Sequence, residues 1–218
     1  MDTDNRVDRR SENGSPAEYP ADTIYGEHLA VLHEIMNEML SQIDDVRKKM
    51  TEIRGKDPVD HCLARIKSDK SMREKCRSRG LPETTESALN EIRDAIGIRI
   101  VCGFLSDLYA IRDHIAVFKD AEIIDEKDYI RHAKSNGYRS YHIILRMRGK
   151  YYAEVQLRTI SMDTWAALEH QLRYKKNTTA NDSLIASELK RCADELASTD
   201  ISMQTIRDMI YGEGDLWS

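Results

Sequence analysis

Residues 141–159, YHIILRMRGKYYAEVQLRT, hold two runs rich in β-branched and aromatic residues, separated by a short polar segment that contains Gly149. This pattern predicts a β-hairpin with its turn at Gly149. In the second run, apolar and polar residues alternate: Ala153, Val155 and Leu157 face one way, and Glu154, Gln156 and Arg158 face the other. We therefore expect one face of the hairpin to join a core, which leaves the opposite face available for chemistry.

The segment before the hairpin predicts two more strands and a helix. IRIVCGF, residues 98–104, is a short β-branched run and predicts a buried strand. Residues 106–118 begin at Ser106, a suitable helix N-cap, and carry apolar residues at helical spacing. EIID, residues 122–125, predicts a weaker strand.

Helices are predicted toward both ends of the chain. Apolar residues at three- and four-residue spacing from 24 to 53 predict one long amphipathic helix that ends before Gly55. Shorter helices are predicted at 69–79 and 85–95. Two more are predicted after the hairpin, at 161–176 and 181–211.

These elements predict an α+β fold with a central mixed β-sheet, flanked by helices, and with long helices at the N and C termini. Residues 1–22 are polar and lack periodicity, which is typical of a disordered tail. We expect an N-terminal helix region at 23–60, a central domain at 61–176, and C-terminal helices at 177–218 that mediate oligomerisation.

Composition narrows the class of protein. The chain has 218 residues, of which 40% are hydrophobic, and this length suits one globular core rather than two large domains. It contains no apolar run of about 18–20 residues and no signal-peptide core, so we expect a cytoplasmic protein that does not enter a membrane. The four cysteines are widely spaced, which indicates neither a zinc site nor a disulfide framework.

Charge is distributed unevenly along the chain, whose formal net charge is −5. Acids exceed bases in residues 1–22 and 182–218, whereas residues 61–80 hold seven Lys and Arg against two acids. An anionic ligand is expected near this basic segment, although a solvated helix face would produce the same pattern.

Two carboxylates are candidates for metal chemistry. Asp94 lies at the end of the helix predicted at 85–95, just before the predicted strand, and Glu154 lies on the polar face of the hairpin. Two carboxylates on neighbouring strands that face a basic helix would suit Mg²⁺ held by few protein ligands and by nucleotide phosphates. Taken singly, each acid is more often an ordinary ion-paired surface residue.

The basic segment carries candidate phosphate ligands. Ser71 and Lys75 lie one helical turn apart on the same helix face, a few residues after Arg65 and Lys67. Arginine offers a planar guanidinium that stacks on a base, and lysine offers a point charge for phosphate. The sequence contains neither a P-loop nor a G-x-G-x-x-G motif, so side chains rather than a glycine-rich loop would hold a nucleotide.

A second candidate pocket comes from KSNGYRSYH, residues 134–142, a cationic and aromatic stretch without an acid. An Asn-Gly pair in it marks a turn, and Tyr138 offers a flat face for a base. Lys127, Lys134 and His142 are candidates to surround the phosphates of that nucleotide. A tyrosine that packs as a lid over the core would explain the same stretch equally well.

Several linked motifs resemble one known family. RIKSDKS, DAIGIRIVCGFLSDLY, EKDYIRHAKSNGYRSYH and AEVQLRTISMDTWAALEHQLRYK follow one another between about residues 61 and 176. Together they resemble the synthetase domain of RelA/SpoT-type alarmone synthetases, a nucleotidyltransferase-like fold. The chain length is similar to that of the single-domain small alarmone synthetases.

The resemblance implies transfer of the β,γ-pyrophosphate of ATP to the 3′-hydroxyl of GDP or GTP, which yields the alarmone (p)ppGpp and AMP in the stringent response. It implies that Arg65 and Arg99 sandwich adenine and that Asp94 binds Mg²⁺. Tyr138 would stack on guanine, and Glu154 would activate the 3′-hydroxyl and share the metal. The other implied ligands lie beside the phosphates: Lys67, Ser71 and Lys75 for ATP, and Lys127, Lys134, His142 and Gln156 for the acceptor.

Two other functions are open at this stage. One is a toxin branch of the same family, which transfers pyrophosphate to the 3′ end of tRNA or makes adenosine alarmones. The acidic termini weigh against a polyanionic partner, whereas the basic segment 61–80 favours one, since Lys and Arg contacts to phosphate dominate nucleic-acid affinity. The other is a non-catalytic nucleotide- or RNA-binding module, which would not require both Asp94 and Glu154.

The apolar stripes at 24–53 and 184–206 exceed what a small sheet is expected to cover. We therefore expect a homo-oligomer, a homotetramer as in the small synthetases, with these helices at the subunit seams.

Overall fold

The computed structural model describes residues 22–174 and 182–212. The tail predicted at 1–22 therefore lies outside the described residues except for its last position. The strands are β1 (Val59–Ile66), β2 (Ile96–Cys102), β3 (Ala121–Asp128), β4 (Tyr141–Met147) and β5 (Tyr151–Thr159). The helices are α1 (His28–Arg54), α2 (Asp69–Ser78), α3 (Leu105–Ile115), α4 (Ile160–Tyr174) and α5 (Asp182–Tyr211), and one π-helical turn spans Ser87–Glu91.

The five strands form one mixed sheet in the order β1-β2-β5-β4-β3. β2 and β5 run parallel, and every other neighbouring pair is antiparallel. The predicted hairpin is confirmed, because β4 pairs with β5 across a turn in which Gly149 has a φ of 70°. The predicted α+β class, with a central mixed sheet and long helices at both ends, is also confirmed.

One face of the sheet packs into the core with α1 and α3. The alternation predicted for β5 is confirmed on this face, because Ala153, Val155 and Leu157 are fully buried. The helices add a common set of buried apolar side chains: Leu32, Ile35, Met36, Met39, Ile43 and Met50 from α1, and Leu108, Ile111 and Ile115 from α3. Most of the apolar stripe predicted at 24–53 is thus covered within one chain, which removes the reason for expecting it to need a partner, and a subunit seam at this helix stays a prediction.

Residues 59–66 differ from the prediction. Their sequence pattern predicts no strand, yet they form β1 at the edge of the sheet. The strand exists because its backbone pairs with β2 over most of its length, from Cys62 opposite Ile100 to Ile66 opposite Ile96. This pairing brings Arg65 onto the sheet and places Lys67 at the end of the strand.

The helix predicted at 85–95 is also wrong in extent. The helix is shortened to residues 85–91. Its last five residues form the π-helical turn, which is closed by a 3.1 Å hydrogen bond from the Ile92 N–H to the Ser87 carbonyl. The chain is extended at Ile92, with φ −103° and ψ 115°. Asp94 consequently lies in a short connection before β2 rather than at the end of a helix.

The N-terminal helix ends where the sequence predicts and begins later than expected. Gly55 caps α1 in the left-handed region, with a φ of 71°. At the other end, Ile24 and Tyr25 precede the helix and form hydrogen bonds with residues at or just before the start of α2. The Ile24 N–H donates to Asp69 Oδ1 at 2.6 Å, and the Tyr25 hydroxyl donates to the Lys67 carbonyl at 2.7 Å.

Two compositional expectations can be compared with the structure. None of the four cysteines forms a disulfide with another described residue, and Cys76 and Cys102 are buried. Among the helices of the described ranges, none combines the length and the apolar character that a membrane crossing requires.

Helix α5 holds the loop that leads into β4. Gly137 in this loop has a φ of 92°, and a Cβ added to it would lie 2.7 Å from the Ala193 Cβ. The neighbouring Arg139 donates to the Ala193 carbonyl at 3.2 Å and to Asp194 Oδ1 at 2.9 Å. The position of Tyr138, between these two anchors, therefore depends on α5.

We predict that Gly137→Ala destabilises the protein more than Gly149→Ala does. Both glycines have positive φ, so both substitutions strain the backbone, but Gly149 has open space where the new methyl group would lie. The clash with α5 should cost about 1–3 kcal/mol beyond the strain that both variants share. Urea unfolding of the two variants measures the difference, and equal losses would show that the loop is not packed against α5 as described.

Candidate functional site

Several of the predicted site residues lie on the polar face of the sheet. Because paired residues on neighbouring strands point to the same face, one row of side chains crosses four strands: Arg99, Gln156, His142 and Lys127. The adjacent row holds Arg65, Gly97 and Glu154. Gly97 has no side chain, so this row has a gap between the guanidinium of Arg65 and the carboxylate of Glu154.

Asp94 lies beside this face within a cluster of lysines. Its Oδ2 is 3.0 Å from Lys67 Nζ and makes a close ion pair with Lys75 Nζ. Its Oδ1 is buried and has no hydrogen-bond partner among the residues that the structure describes. Two lysines against one carboxylate leave an excess of positive charge, which suits a phosphate, and the unpartnered oxygen is available to a cation.

Ser71 extends the same cluster at the start of α2. Ser68 is the N-cap of this helix, and its Oγ accepts the Ser71 N–H at 3.3 Å and lies 3.0 Å from Ser71 Oγ. The Ser71 hydroxyl is therefore fixed at the first turn, where the helix dipole favours an anion, with Lys75 one turn further on. The predicted phosphate ligands Lys67, Ser71 and Lys75 lie together.

Arg65 and Arg99 lie near each other on β1 and β2. Arg99 pairs with the residue two positions before Arg65 on β1, so the two guanidinium groups are diagonal neighbours on one face. Burial lowers the pKa of Arg99, and the nearby charge of Arg158 lowers it further, although Asp163 acts in the opposite direction. The charge of Arg65 also lowers the pKa of Arg99, so the two cations repel each other, and this repulsion favours an anionic ligand.

A closed ring of hydrogen bonds joins five side chains at the centre of the face. The Tyr138 hydroxyl lies 2.8 Å from His142 Nε2, and His142 Nδ1 lies 3.0 Å from Glu154 Oε1. Gln156 donates to Glu154 Oε2 at 2.9 Å. The guanidinium of Arg158 completes the ring, because its Nη2 donates to Gln156 Oε1 and to the Tyr138 hydroxyl, both at 3.0 Å.

The ring sets the charge state of Glu154. Burial alone would raise the pKa of this carboxyl, but the hydrogen bonds from His142 and Gln156, together with the charge of Lys75, outweigh burial and hold the pKa at about 2. Glu154 is therefore an anion at neutral pH. His142, which the resemblance implies as a phosphate ligand, lies between Tyr138 and Glu154.

Cations and rings also form the rim near Tyr138. Lys134 Nζ lies 5.0 Å from the centre of the half-buried Tyr138 ring and 4.6 Å from that of Tyr129. Lys127 is exposed on β3 and pairs with Asp125 at 3.1 Å. The predicted acceptor residues are thus brought to one side of Glu154, while Arg65 and the Asp94 cluster lie on strand β1 and the elements next to it.

Sequence reasoning did not select two residues of this site, Arg158 and Asp163. The period-two alternation placed Arg158 on the polar face of β5 with Glu154 and Gln156, and this was the signal that could have selected it. Asp163 lies on α4, where it contacts Arg158 at 2.8 Å and Arg99 at 3.3 Å. No local pattern marks it, because both partners come from strands.

Comparison with known proteins agrees with this geometry. A family model described as "Region found in RelA / SpoT proteins" matches residues 64–179. The chain belongs to the RelA/SpoT family. The GTP pyrophosphokinase YwaC of Bacillus subtilis (strain 168) is 39% identical over 162 residues, which cover 71% of this chain and 77% of that protein. The GTP pyrophosphokinase YjbM of the same organism is 31% identical over 160 residues, 69% of this chain and 72% of that protein.

Solved structures place this RelA/SpoT-family chain among the small alarmone synthetases in fold. Small alarmone synthetase 2 from Bacillus subtilis is 32% identical, with a TM-score of 0.72 over 84% of this chain and 97% of that chain. Small alarmone synthetase 1 from the same organism, bound to its product pppGpp, is 26% identical, with a TM-score of 0.71 over 83% and 94%. The family resemblance drawn from the motifs is confirmed.

We predict that the hydroxyl of Tyr138 contributes to the stability of this RelA/SpoT-family protein. Tyr138→Phe removes two hydrogen bonds of the ring and should lower the free energy of unfolding by about 1–2 kcal/mol. Tyr129→Phe is the matched control, because the Tyr129 hydroxyl makes no hydrogen bond within the described ranges and its loss should cost less than about 0.5 kcal/mol. Equal stability of both variants in urea unfolding would contradict the ring.

Proposed function

We propose that this protein is a cytoplasmic pyrophosphokinase that transfers the β,γ-pyrophosphate of ATP to the 3′-hydroxyl of GDP or GTP and so makes (p)ppGpp in the stringent response. The observation that carries the proposal is the anionic Glu154 at the centre of the polar face, with cationic, ring-binding groups on both sides of it. The relatives named GTP pyrophosphokinases, and the related structure bound to pppGpp, support the same chemistry.

ATP is assigned to the side of the face that holds β1 and α2. Arg65 and Arg99 are the proposed adenine sandwich, since two diagonal guanidinium groups fit the two faces of a base. The phosphates follow toward the Asp94 cluster, where Lys67, Ser71 and Lys75 offer two charges and a hydroxyl at a helix N-terminus.

The acceptor is assigned to the side that holds β3 and β4. Tyr138 is the proposed stacking platform for guanine, with Lys127 and Lys134 at the rim for its phosphates. His142 and Gln156 are proposed to act mainly through Glu154, because each donates one hydrogen bond to that carboxylate. In this assignment the 3′-hydroxyl of the acceptor reaches Glu154.

The carboxylates also fit a divalent cation. Asp94 offers a buried oxygen without a partner among the described residues, and each oxygen of Glu154 accepts one hydrogen bond and keeps a lone pair. Mg²⁺ prefers such oxygen ligands together with phosphates, and we propose that these two residues hold it. When bound, the ion would neutralise charge on the triphosphate.

The low basicity of Glu154 suits this transfer. The 3′-oxygen forms a bond to the β-phosphorus while the bond from that phosphorus to the α,β-bridging oxygen breaks and AMP leaves. Phosphoryl transfer has a loose transition state, in which little positive charge develops on the attacking hydroxyl before the leaving group departs. A carboxylate that orients the hydroxyl and takes its proton late is then sufficient, and positioning and charge neutralisation supply most of the rate.

We predict that Glu154→Gln and Asp94→Asn each lower turnover by about 10²-fold or more, because each removes a negative charge from the reacting centre and keeps the side-chain shape. Glu122→Gln is the matched control, since this exposed carboxylate on β3 is paired with Arg146 and lies away from the ring. It should keep full turnover.

The assay uses Mg²⁺, γ-labelled ATP and, in turn, GDP, GTP, GMP, ATP or deacylated tRNA. Labelled product with GDP or GTP is expected. Label on tRNA or on adenosine nucleotides alone would replace the proposed acceptor by that of the toxin branch, and nucleotide binding without any product would indicate a binding module. Near-normal turnover of the Glu154 or Asp94 variant would refute that residue's role.

The proposal includes a homotetramer whose seams involve α5. This helix leaves large apolar side chains exposed, whereas those of α1 are mostly in the core. The exposed side chains of α5 are Leu184, Ile185, Ile201, Met203, Ile206, Met209, Ile210 and Tyr211. Large exposed apolar side chains along one helix are typical of subunit contacts. Because α5 also anchors the loop of Tyr138, assembly through it would support the acceptor side.

We predict by light scattering a particle of four times the 25.1 kDa chain mass. Ile201→Glu should lower this mass because it places a charge in the seam. Ile53→Glu is the control, since Ile53 on α1 is as exposed, at 62% against 61% for Ile201, and lies outside the proposed contact. A wild-type mass near that of one chain would contradict the proposal.

A further inference from the structure

Arg158 is a buried cation shared between several acceptors. Its side chain is 6% exposed. One nitrogen, Nη2, donates to the Tyr138 hydroxyl and to Gln156 Oε1, and the other, Nη1, donates to Asp163 Oδ1 at 2.8 Å. The planar guanidinium therefore fixes the hydroxyl end of the proposed guanine platform relative to a carboxylate on α4.

Asp163 connects this arrangement to the other pocket. The same oxygen that accepts from Arg158 also lies 3.3 Å from Nη1 of Arg99, one of the two proposed adenine ligands. Its second oxygen lies 3.6 Å from His61 Nε2 on β1. Asp163 is mostly buried, with 17% of its side chain exposed, so solvent screens these charges weakly.

We infer that Arg158 and Asp163 form a positioning bridge that couples the two nucleotide sites. The path runs from Tyr138 through Arg158 and Asp163 to Arg99, with nitrogen–oxygen distances of 3.0, 2.8 and 3.3 Å. This inference rests on the proposed function, because it concerns the same two pockets and states how they interact.

The physical basis of the coupling is one carboxylate oxygen, Asp163 Oδ1, which contacts both guanidinium groups. Arg99 and Arg158 repel each other and share Asp163, so the position of either guanidinium alters the field at the other. When adenine orders Arg99, the geometry of Arg158 and of the Tyr138 platform is ordered as well, and the acceptor then binds to a site that is already arranged. By thermodynamic reciprocity, the acceptor must improve ATP binding by the same factor.

The test measures this factor directly. The dissociation constant of α,β-methylene ATP, whose methylene group blocks cleavage at the reacting bond, is measured with Mg²⁺ in the absence and presence of saturating GDP. In the wild-type protein GDP should tighten binding by about 5-fold or more, the lower end of typical site–site coupling. In Arg158→Lys and in Asp163→Asn the ratio should fall close to one.

The two substitutions remove different properties of the bridge. Lys keeps the charge of Arg158 and lacks the fork that reaches three acceptors, whereas Asn keeps the shape of Asp163 and lacks its charge. Arg146→Lys is the matched control, because Arg146 lies on the same polar face of the sheet and bonds Glu122 instead. It should keep the wild-type ratio. If Arg158→Lys does not fold, Asp163→Asn decides the matter.

The outcomes separate the bridge from the proposed function. A wild-type protein that binds both nucleotides with no change in affinity overturns the bridge and leaves the function standing. Variants that bind each nucleotide more weakly yet keep the wild-type ratio also overturn it, because they show a role in folding only. A wild-type protein that binds neither nucleotide overturns the proposed function itself, and the bridge with it.

Discussion

Burial of the apolar face of the five-stranded sheet is the constraint on which the rest of this structure depends. β5 runs through the middle of the sheet, and Val155 and Leu157 lie in the core at zero exposure. Because side chains on a strand alternate, this burial turns Glu154, Gln156 and Arg158 to the opposite face. The parallel pairing with β2 and the antiparallel pairing with β4 then bring the neighbouring polar rows alongside. Hydrophobic packing thus decides which polar side chains meet.

The parts of this arrangement that depend on local pattern could be predicted from the sequence. The alternation in β5, the turn at Gly149 and the end of α1 before Gly55 each have a local cause, and each is confirmed. β1 has no such cause. Its residues neither alternate cleanly nor form a β-branched run, and its backbone becomes a strand through pairing with β2. The shortening of the helix predicted at 85–95 likewise has no mark in the local sequence pattern.

The candidate site also contains residues that the local sequence indicates and residues that only the folded chain brings together. Asp94 and Glu154 could be selected from the sequence because carboxylates beside basic segments have a recognisable chemistry, and the motif order pointed to one family. The hydrogen-bonded ring could not, because Tyr138 and Arg158 are 20 residues apart and meet only after the hairpin forms. Asp163 was missed for the same reason. The strands thus determine which side chains meet, and the hydrogen-bonded ring orients Glu154. The pKa of Glu154, about 2, is low because this carboxylate accepts hydrogen bonds from His142 and Gln156.

The central claim is that the polar face brings the 3′-hydroxyl of a guanine nucleotide to the β-phosphorus of ATP. It is tested most directly by following ATP labelled separately at its α-, β- and γ-phosphates during turnover with GDP. The account requires that the β- and γ-labels move together into the guanine nucleotide and that the α-label stay in AMP. Transfer of the γ-label alone, with ADP as the other product, would contradict it, because the acceptor would then be aligned with a different phosphorus.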